Sequence, residues 1–461
     1  MKDSFVGREA ELNALQEKFN KDSFQMAVIY GRRRIGKTTL INKFIEKNKC
    51  KAISFVGTER NESELLKMMS ESAIQVLAPE LAGNIIFENF EKLFDFIGKA
   101  SQKKRIIFVI DEYPYLAKEC PYMNSVLQKY IDHDWKKTKL FFILLGSLVS
   151  FMEEKVLAND APLHGRSDLQ FKLKPFGYLE SGLFVPSYNS REKAIVYGLT
   201  GGVAKHLIQF DDKKTLDENM EELFFSETAF FTEEQIKTLI TSDKANPTAY
   251  NSIITAMANG KTKFNEISNA TKIDDITFYM KNLILSGIIE KRTSSKPYYI
   301  ICDPLINFYF YYVSPGLSAI NAGNGKLYYE YKVKNFLNEH MGKVFESMCR
   351  DYILCNVGTD KIPTFVTDVV EYQNSVKIGK KIKSIEIDLL GIDGKNYVLA
   401  GECKFKSEKF DRSDLENFLE KLKYLPANNL KIMLFSLSGF SDYVIQNSKD
   451  YVLVDINQMY V

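Results

Sequence analysis

Residues 26–39 read Met-Ala-Val-Ile-Tyr-Gly-Arg-Arg-Arg-Ile-Gly-Lys-Thr-Thr, and this stretch decides the fold. An apolar run ends in a turn that contains glycine, and a helix-like segment follows, so the order is strand, loop, helix. The spacing G-x-x-x-x-G-K-T lets backbone N–H groups close around phosphate oxygens at the start of a helix. The pattern predicts a nucleotide-binding loop made of Gly31, Arg32, Arg33, Arg34, Ile35, Gly36, Lys37, Thr38 and Thr39.

A second apolar run ends in two carboxylates, since residues 105–112 read Arg-Ile-Ile-Phe-Val-Ile-Asp-Glu. Such a run predicts a strand buried on both faces of a parallel sheet, and ligands lie at the C-terminal ends of such strands. We expect Lys37 to reach the β- and γ-phosphates, while Thr38 and Asp111 hold Mg²⁺. Glu112 would polarise the attacking water. The two segments together predict that the protein binds and hydrolyses ATP with Mg²⁺.

Composition narrows the class of protein. A chain of 461 residues is too long for a single core, so several domains are expected. The net charge of +2 excludes an overall basic field, and contact with nucleic acid would depend on local patches. The six cysteines form no C-x-x-C pair, so reduced thiols are expected rather than a zinc site. The chain starts without an apolar signal segment, and Asp303-Pro304 interrupts its apolar stretch 298–313, so we expect a cytoplasmic protein with no membrane partner.

Further short motifs accompany the two phosphate-site segments in a fixed order along the chain. They are Gly7-Arg8-Glu9, which opens an amphipathic helix, Gly146-Ser147, which ends another apolar run, Leu163-His164-Gly165-Arg166, and Gly201-Gly202. The whole set resembles the archaeal-type ATPase family, in the AAA+/STAND-like branch of P-loop ATPases, over roughly residues 1–235. One departure is that the Gly-Gly-x-Pro sequence of the family's lid reads Gly-Gly-Val-Ala at residues 201–204.

The resemblance implies roles for several of these residues. Gly7 and Arg8 would pack against the nucleotide base, although a plain N-terminal helix is the simpler interpretation of that motif alone. Ser147 would sense the γ-phosphate, with a helix N-cap as the alternative. Arg166 could act as an arginine finger, in cis or from a neighbouring copy, with an ordinary surface arginine as the alternative.

Residues 245–300 read as three helices followed by a β-wing and resemble a winged helix-turn-helix. Such folds often read DNA through the third helix. Here that helix is expected over 271–286, with Asp274 and Asp275 against Lys272 and Lys281 and no arginine, which is a poor phosphate-binding face. A protein-packing or spacer role is therefore favoured, while Lys291, Arg292 and Lys296 in the wing leave DNA binding open.

A turn-rich region at 314–325 predicts the next boundary, and beyond it a hairpin is expected around Asp393-Gly394. Asp388 lies on its first strand, whereas Glu402 and Lys404 lie two apart on the second and share a face. Two carboxylates and a lysine can hold Mg²⁺ or Mn²⁺ and orient a hydroxide against a phosphodiester. The alternative is an amphipathic hairpin with a surface salt bridge.

The spacing, an Asp followed by E-x-K after a hairpin, resembles the PD-(D/E)XK nuclease fold. More narrowly, it resembles the C-terminal domain of unknown function that accompanies this ATPase family. The resemblance implies that Asp388 and Glu402 are metal ligands, that Lys404 orients the water, and that Glu346 on the preceding helix completes the acidic site. Ile387 stands where the nuclease motif has proline.

The predicted fold class is α/β, in three parts. A P-loop ATPase parallel sheet with a helical lid spans 1–240, a winged helix-turn-helix spans 245–312, and an α/β restriction-endonuclease-like domain spans 326–461. The first functional hypothesis is an ATP-controlled, metal-dependent nuclease that contacts DNA through the basic segments 377–383 and 404–409. The alternative is a regulatory switch in which ATP drives homo-oligomerisation, the winged helix binds a protein partner, and the nuclease-like domain is inactive.

Overall fold

The computed structural model describes residues 5–240, 246–293, 297–362, 364–378, 381–427 and 429–461. These residues separate into two compact units. The first comprises the described residues up to Phe176 together with Val203–His206, and the second comprises Gly177–Gly202 and Leu207–Val461. This division is coarser than the three predicted domains, and most of the predicted lid falls in the second unit.

The first unit is built on a five-stranded parallel sheet with the strand order β2-β3-β4-β1-β5. Its strands are β1 Gln25–Tyr30, β2 Lys51–Val56, β3 Ile106–Asp111, β4 Leu140–Gly146 and β5 Leu169–Lys172. Every residue of β3 and of β4 is buried, as predicted for strands covered on both faces. The parallel P-loop ATPase sheet is thus confirmed.

Helices cover both faces of this sheet. Neighbouring residues of β1 point to opposite faces, so each strand contributes side chains to both apolar layers. Met26 and Val28 belong to one apolar layer, and Ala27 and Ile29 belong to the other. The helices are α1 Glu9–Phe19, α2 Lys37–Asn48, α3 Glu62–Leu77, α4 Phe90–Ala100, α5 Tyr113–Glu119, α6 Met123–Lys129 and α7 Val149–Phe151. A π-helical turn, Tyr130–Asp134, follows α6.

The second unit begins with short helices and continues into the winged helix. The first helices are α8 Tyr178–Gly182, α9 Ser190–Thr200, α10 Ala204–Leu207 (which starts in the first unit), α11 Leu216–Met220 and α12 Glu233–Ile240. The winged helix comprises α13 Pro247–Ala258, α14 Phe264–Thr271, α15 Thr277–Leu285 and the antiparallel pair β6 Ile289–Thr293 and β7 Pro297–Ile301. The three helices and the wing agree with the predicted fold.

The third helix of the winged fold starts later than predicted. It begins at Thr277 rather than at Thr271, because Thr271 ends the preceding helix and Lys272 takes a left-handed conformation with a φ of 55°. The Asp275 carboxylate accepts a hydrogen bond of 2.8 Å from the Thr277 N–H. Asp274 and Asp275 therefore precede this helix instead of lying on its face.

The turn-rich structure predicted at 314–325 is wrong, because this stretch is helical, while the domain boundary predicted there stays a prediction. It contains α17 Leu317–Ala319 and the start of α18 Gly325–Tyr328, joined by 3-10 and π-helical turns, and it follows α16 Pro304–Phe308. The helical path bends at Gly323, whose φ is 78°. A Cβ atom on Gly325 would lie 1.7 Å from the Phe225 carbonyl oxygen, so glycine permits close helix packing here rather than a loop.

The last part of the second unit holds a five-stranded mixed sheet with the order β12-β11-β10-β9-β8. Strands β8 to β10 are antiparallel, and β10 to β12 are parallel. Its elements are α19 Leu337–Asn356, β8 Asp368–Ile378, β9 Lys381–Asp393, β10 Asn396–Lys404, α20 Arg412–Leu422, β11 Lys431–Ser436, α21 Asp442–Asn447, β12 Val452–Asp455 and α22 Ile456–Met459. The predicted hairpin is confirmed as β9 and β10, and helix-flanked strands give the predicted α/β domain, whereas β8 and β12 were not predicted.

Some sequence predictions concern residues that the structure does not describe. Lys296 of the predicted wing and Lys380 of the basic segment lie outside the described residues, as do the side chains of Lys377 and Lys381 to Lys383. Within the described ranges, no helix combines the length and the apolar character needed to cross a lipid bilayer.

Candidate functional site

The phosphate loop joins β1 to α2 through residues with positive φ. The φ values are 151° at Gly31, 71° at Arg34 and 94° at Gly36. A Cβ atom on Gly31 would lie 2.4 Å from the Leu173 carbonyl oxygen, so the loop can pass this close to the chain after β5 only with glycine at that position. The result is a tight turn whose backbone leads directly into the N-terminus of α2, where anions bind readily.

Lys37 is the first residue of α2, and its side chain folds back over the loop. Its Nζ donates to the carbonyl oxygens of Gly31, at 2.8 Å, and Arg32, at 3.1 Å. Burial lowers the pKa of this ammonium, while the carboxylates of Glu112 and Asp111 oppose that change. A desolvated ammonium beside the loop is suited to bind phosphate oxygens.

Four predicted site residues meet at the C-terminal edge of the sheet. The Thr38 hydroxyl donates to Asp111 Oδ2 at 2.5 Å, and the Ser147 hydroxyl donates to Glu112 Oε2 at 2.5 Å. The Glu112 N–H donates to Asp111 Oδ1 at 2.8 Å, which links the two pairs. A hydroxyl and a carboxylate oxygen in contact are the hard donors that Mg²⁺ prefers, so Thr38 and Asp111 fit that ion.

Ser147 does not cap the following helix. The residue at the N-cap of α7 is Leu148, and the Ser147 hydroxyl donates to Glu112 instead. The structure therefore brings this serine to the predicted catalytic glutamate, and its role as a γ-phosphate sensor stays a prediction.

Arg8 anchors the start of α1 to the phosphate loop. Its Nη2 donates to the carbonyl oxygens of Lys174, at 2.7 Å, and Ile35, at 3.4 Å. Its guanidinium carbon lies 3.9 Å from the centre of the Phe176 ring. The side chain is buried and bonded to loop backbone, so it braces the loop; packing of Gly7 and Arg8 against a nucleotide base stays a prediction.

The remaining arginines of the loop make contacts of their own. Arg33 donates a hydrogen bond to the Tyr115 hydroxyl. Burial lowers the pKa of the Arg34 guanidinium, and the charges of Arg32 and Arg33 lower it further. The Arg34 carbonyl accepts a hydrogen bond of 3.1 Å from the Lys205 N–H, so the chain that follows Gly201-Gly202 returns to the loop. The sequence predicted a lid here but not this backbone contact.

Arg166 lies at the opposite edge of the sheet from the phosphate loop. It precedes β5, and the nearby Asp168 accepts a hydrogen bond of 2.8 Å from the N–H of Met26, near the start of β1. The loop follows the end of β1, and a six-residue strand spans roughly 20 Å. Arg166 donates to both oxygens of Asp132, at 2.9 and 2.7 Å. The structure thus contradicts an arginine finger in cis, and action on a neighbouring copy stays a prediction.

The residues predicted for the C-terminal site also come together. Asp388 on β9 and Glu402 on β10 are neighbours, because Leu389 pairs with Gly401 in the antiparallel register. Asp388 Oδ2 accepts a hydrogen bond of 2.8 Å from the Cys403 N–H, and Lys404 Nζ donates to Glu402 Oε1 at 2.8 Å. Glu402 is 3% exposed, so this is not the surface salt bridge of the alternative interpretation.

The charges of two neighbouring carboxylates, Glu402 and Glu346, act on Asp388. Burial raises the pKa of Asp388 to about 7, with further increases from the charges of Glu402 and Glu346. Burial also raises the pKa of Glu346, which the ammonium of Lys343 opposes. These groups have the oxygen chemistry that suits Mg²⁺ or Mn²⁺.

Two of these carboxylates, those of Glu402 and Glu346, form salt bridges with lysines. Lys421 Nζ lies 2.9 and 3.0 Å from the two oxygens of Glu402, and Lys343 Nζ lies 2.9 Å from Glu346 Oε2. Within the described ranges, no three His, Cys, Asp or Glu side chains are grouped to hold a metal ion. The sequence did not predict that Lys343 and Lys421 contact these carboxylates, since neither lysine lies at a fixed spacing from the E-x-K motif.

The wing is bonded to strand β8 of the mixed sheet in the same unit. Arg292 on β6 donates to Glu371 Oε2 on β8 at 2.9 Å, and Lys343 lies 3.3 Å from Glu371 Oε1. One of the wing cations predicted to leave DNA binding open is therefore paired with a carboxylate.

Comparison with known proteins gives the following relatives. A family described as an ATPase domain predominantly from Archaea matches residues 5–210. A family described as archaeal and bacterial proteins of unknown function matches residues 309–416. An uncharacterized protein of Methanocaldococcus jannaschii is 33% identical over 418 residues, which covers 88% of each chain. An uncharacterized ATP-binding protein of the same organism is 48% identical over 50 residues, covering 11% of this chain and 85% of its own length.

Solved structures that are similar to this chain include two proteins with low sequence identity to it. The ORC2 protein of Aeropyrum pernix has a TM-score of 0.45 at 14% identity, covering 70% of this chain and 97% of its own. The RuvB branch-migration motor of Thermotoga maritima has a TM-score of 0.36 at 15% identity, covering 65% of this chain and 93% of its own.

The relative from Methanocaldococcus jannaschii is matched over 88% of the chain, and the two family matches include the phosphate loop and strands β8 to β10, respectively. The predicted resemblance to the archaeal-type ATPases and to their C-terminal domain of unknown function is therefore confirmed, while the resemblance to PD-(D/E)XK nucleases stays a prediction. The chain is an ATP-binding P-loop protein and belongs to the archaeal-type ATPases that carry this C-terminal domain.

Proposed function

We propose that the protein hydrolyses ATP and that its nucleotide state controls a metal-dependent nuclease in the C-terminal domain, acting on DNA. The proposal keeps the three predicted domains, 1–240, 245–312 and 326–461, as its functional parts. The single observation that carries it is the grouping of Asp388, Glu402 and Lys404 on neighbouring strands, with the charge of Glu346 acting on Asp388.

At the ATPase site, the roles follow from the contacts. Lys37 and the loop N–H groups bind the phosphates, and Thr38 and Asp111 would hold Mg²⁺, which neutralises charge on them. Glu112 would act as the base that orients the attacking water. Because Ser147 donates to Glu112, a γ-phosphate that attracts the serine hydroxyl would free a carboxylate oxygen for that water.

At the nuclease-like site, Asp388 and Glu402 would hold Mg²⁺ or Mn²⁺, a metal that polarises a phosphodiester and activates water. Lys404 positions the water, since its ammonium projects from the same face as Glu402. Lys406 is bonded to Asp414 at 2.7 Å, whereas Lys409 is exposed. DNA phosphates would meet this basic segment first at Lys409.

The second candidate is a regulatory switch with an inactive nuclease-like domain. The observation that favours it is the pairing of Glu402 and Glu346 with lysines. In that case ATP would drive oligomerisation, and the winged helix would bind a protein partner.

Cleavage of plasmid and single-stranded DNA with Mn²⁺, with and without ATP, separates the two functions. We expect the wild-type protein to cleave and Lys404→Ala to be inactive, while Lys395→Ala, which changes an exposed lysine in the turn between β9 and β10, retains cleavage. In Lys37→Ala, we expect ATP turnover to be lost and cleavage to stop responding to ATP. Normal ATP turnover without cleavage in the wild-type protein would favour the switch, and cleavage by Lys404→Ala at the wild-type rate would reject the assigned site.

A further inference from the structure

Lys421 approaches the nuclease-like site from a different element than the E-x-K motif. It lies in the last turn of α20, and its Nζ contacts both oxygens of Glu402, at 2.9 and 3.0 Å. Glu402 Oε1 also accepts the bond from Lys404. The Glu402 carboxylate thus contacts two ammonium groups from separate elements.

The arrangement has a clear electrostatic cause. The Glu402 side chain is 4% exposed, and an ionised carboxylate this deeply buried needs a cation or strong donors beside it. Lys421 supplies that cation, while its own side chain remains 27% exposed. An ammonium on a flexible four-carbon stem can leave such a site toward solvent, unlike a residue fixed in a strand.

The neighbouring lysine of the same helix end behaves differently. Lys423 Nζ lies 2.6 Å from Glu420, one turn back on the helix surface, and its side chain is 69% exposed. Lys423 therefore differs from Lys421 in its carboxylate partner and in the exposure of its side chain. This pair of lysines gives a matched comparison within a single element.

We propose that Lys421 is a displaceable counter-ion of Glu402. In the metal-free protein it pairs with this carboxylate and excludes the divalent ion. A phosphodiester of the substrate then draws the Lys421 ammonium away and lets the ion bind. The inference rests on the proposed nuclease function and adds a positioning residue to it. A divalent ion and an ammonium on both oxygens of one carboxylate compete for the same lone pairs and repel each other. Substrate binding would therefore precede metal binding.

Calorimetric titration of the nucleotide-free full chain with Mn²⁺ tests the inference without measuring cleavage. We expect Lys421→Met to bind Mn²⁺ at least tenfold more tightly than the wild-type protein, and Lys423→Met to match the wild type. Lys421→Arg keeps the positive charge and should bind as weakly as the wild type. Thr38 and Asp111 are unchanged in every variant, so Mn²⁺ at the phosphate loop contributes equally to all of them.

A second arm adds a short phosphorothioate oligonucleotide, which resists cleavage. We expect it to raise the Mn²⁺ affinity of the wild-type protein and to have little effect on Lys421→Met. Equal affinities of the wild type and Lys421→Met, both lost in Asp388→Ala, would overturn the role of Lys421 and leave the metal site standing. No Mn²⁺ binding in either protein, or tight binding by Lys421→Met that survives Asp388→Ala, would overturn both the inference and the assigned metal ligands.

Discussion

Asp388 is a carboxyl group whose charge changes near neutral pH. Burial raises its pKa to about 7, and Glu402 adds to the increase, whereas a free aspartate has a pKa of about 3.9. The folded protein therefore keeps a proton on Asp388 that the unfolded chain has released between about pH 4 and pH 7. Stability from this group is complete below the unfolded pKa and is lost as the pH rises through the folded one.

This titration predicts how stability depends on pH in the metal-free protein. We expect the free energy of unfolding to fall between about pH 4 and pH 7 by an amount on the order of a few kcal/mol from Asp388. Asp388→Asn, which cannot ionise, should remove that part of the slope. Urea denaturation across this range measures it for both proteins. The same slope in the variant would show that Asp388 ionises normally.

Sequence spacing predicted contacts made within a motif and missed those made across the fold. Thr38, Asp111 and Ser147 could be placed because each ends or begins an element at the same sheet edge. Glu402 and Lys404 could be placed because residues two apart on a strand share a face. The partners Lys343 and Lys421 lie on helices whose packing over the sheet fixes their distance to the carboxylates, and no local spacing encodes that distance.

At the scale of elements, the direction of a strand decides what its flanking residues can reach. Residues that follow parallel strands meet at one edge, and residues that precede them meet at the other. Arg166 precedes β5, so the parallel sheet carries it away from the phosphate loop and toward Asp132. The turn predicted at 314–325 is wrong for another reason. The glycines of this segment allow a helix bend and close helix packing rather than a turn.

The outward face of α15 determines whether the winged helix can bind DNA in the usual way. Phe278 and Ile284 are exposed on this helix, at 52% and 38%, and Lys281 lies on the same face. One cation among large apolar side chains offers little to a phosphate backbone. The helix therefore offers little for phosphate binding, although Asp274 and Asp275, on which the prediction rested, precede it, and its role in packing against protein stays a prediction.

We accordingly expect Lys281→Ala to leave the affinity for a labelled DNA duplex within about twofold of the wild type. The slope of log affinity against log salt should also stay unchanged, because a lost phosphate contact would reduce it by about one. Fluorescence anisotropy at several salt concentrations measures both quantities. A slope smaller by about one in the variant would show that α15 contacts the phosphates.

At the scale of the whole molecule, four residues of the first unit come from a distant part of the chain. Val203–His206 belong to that unit, although the residues on either side belong to the second. The Lys205 N–H donates to Arg34, and a Cβ atom on Gly36 would lie 3.7 Å from Ala204 Cβ. The segment Val203–His206 therefore supports the phosphate loop. It directly follows Gly201 and Gly202, both of which have positive φ.

Removing that hydrogen bond should weaken nucleotide binding. Lys205→Pro deletes the N–H donor, and proline is tolerated in the first turn of a helix such as α10. We expect its ATP affinity to fall several-fold, while Lys205→Arg, which keeps the N–H and the positive charge of the side chain, should bind ATP as the wild type does. Titration with a fluorescent ATP analogue measures both. Equal affinity in the two variants would mean that the backbone contact does not support the loop.

The route of the chain also bears on how such a protein could arise. The polypeptide passes from one unit to the other after Phe176, after Gly202 and after His206. A single recombination event in the gene exchanges everything on one side of a junction, so no single crossover could replace either unit intact. A crossover at Phe176 would leave the phosphate loop with a foreign counterpart of Val203–His206. The two units are therefore expected to have been inherited together, with substitutions in that short segment matched to changes in the loop.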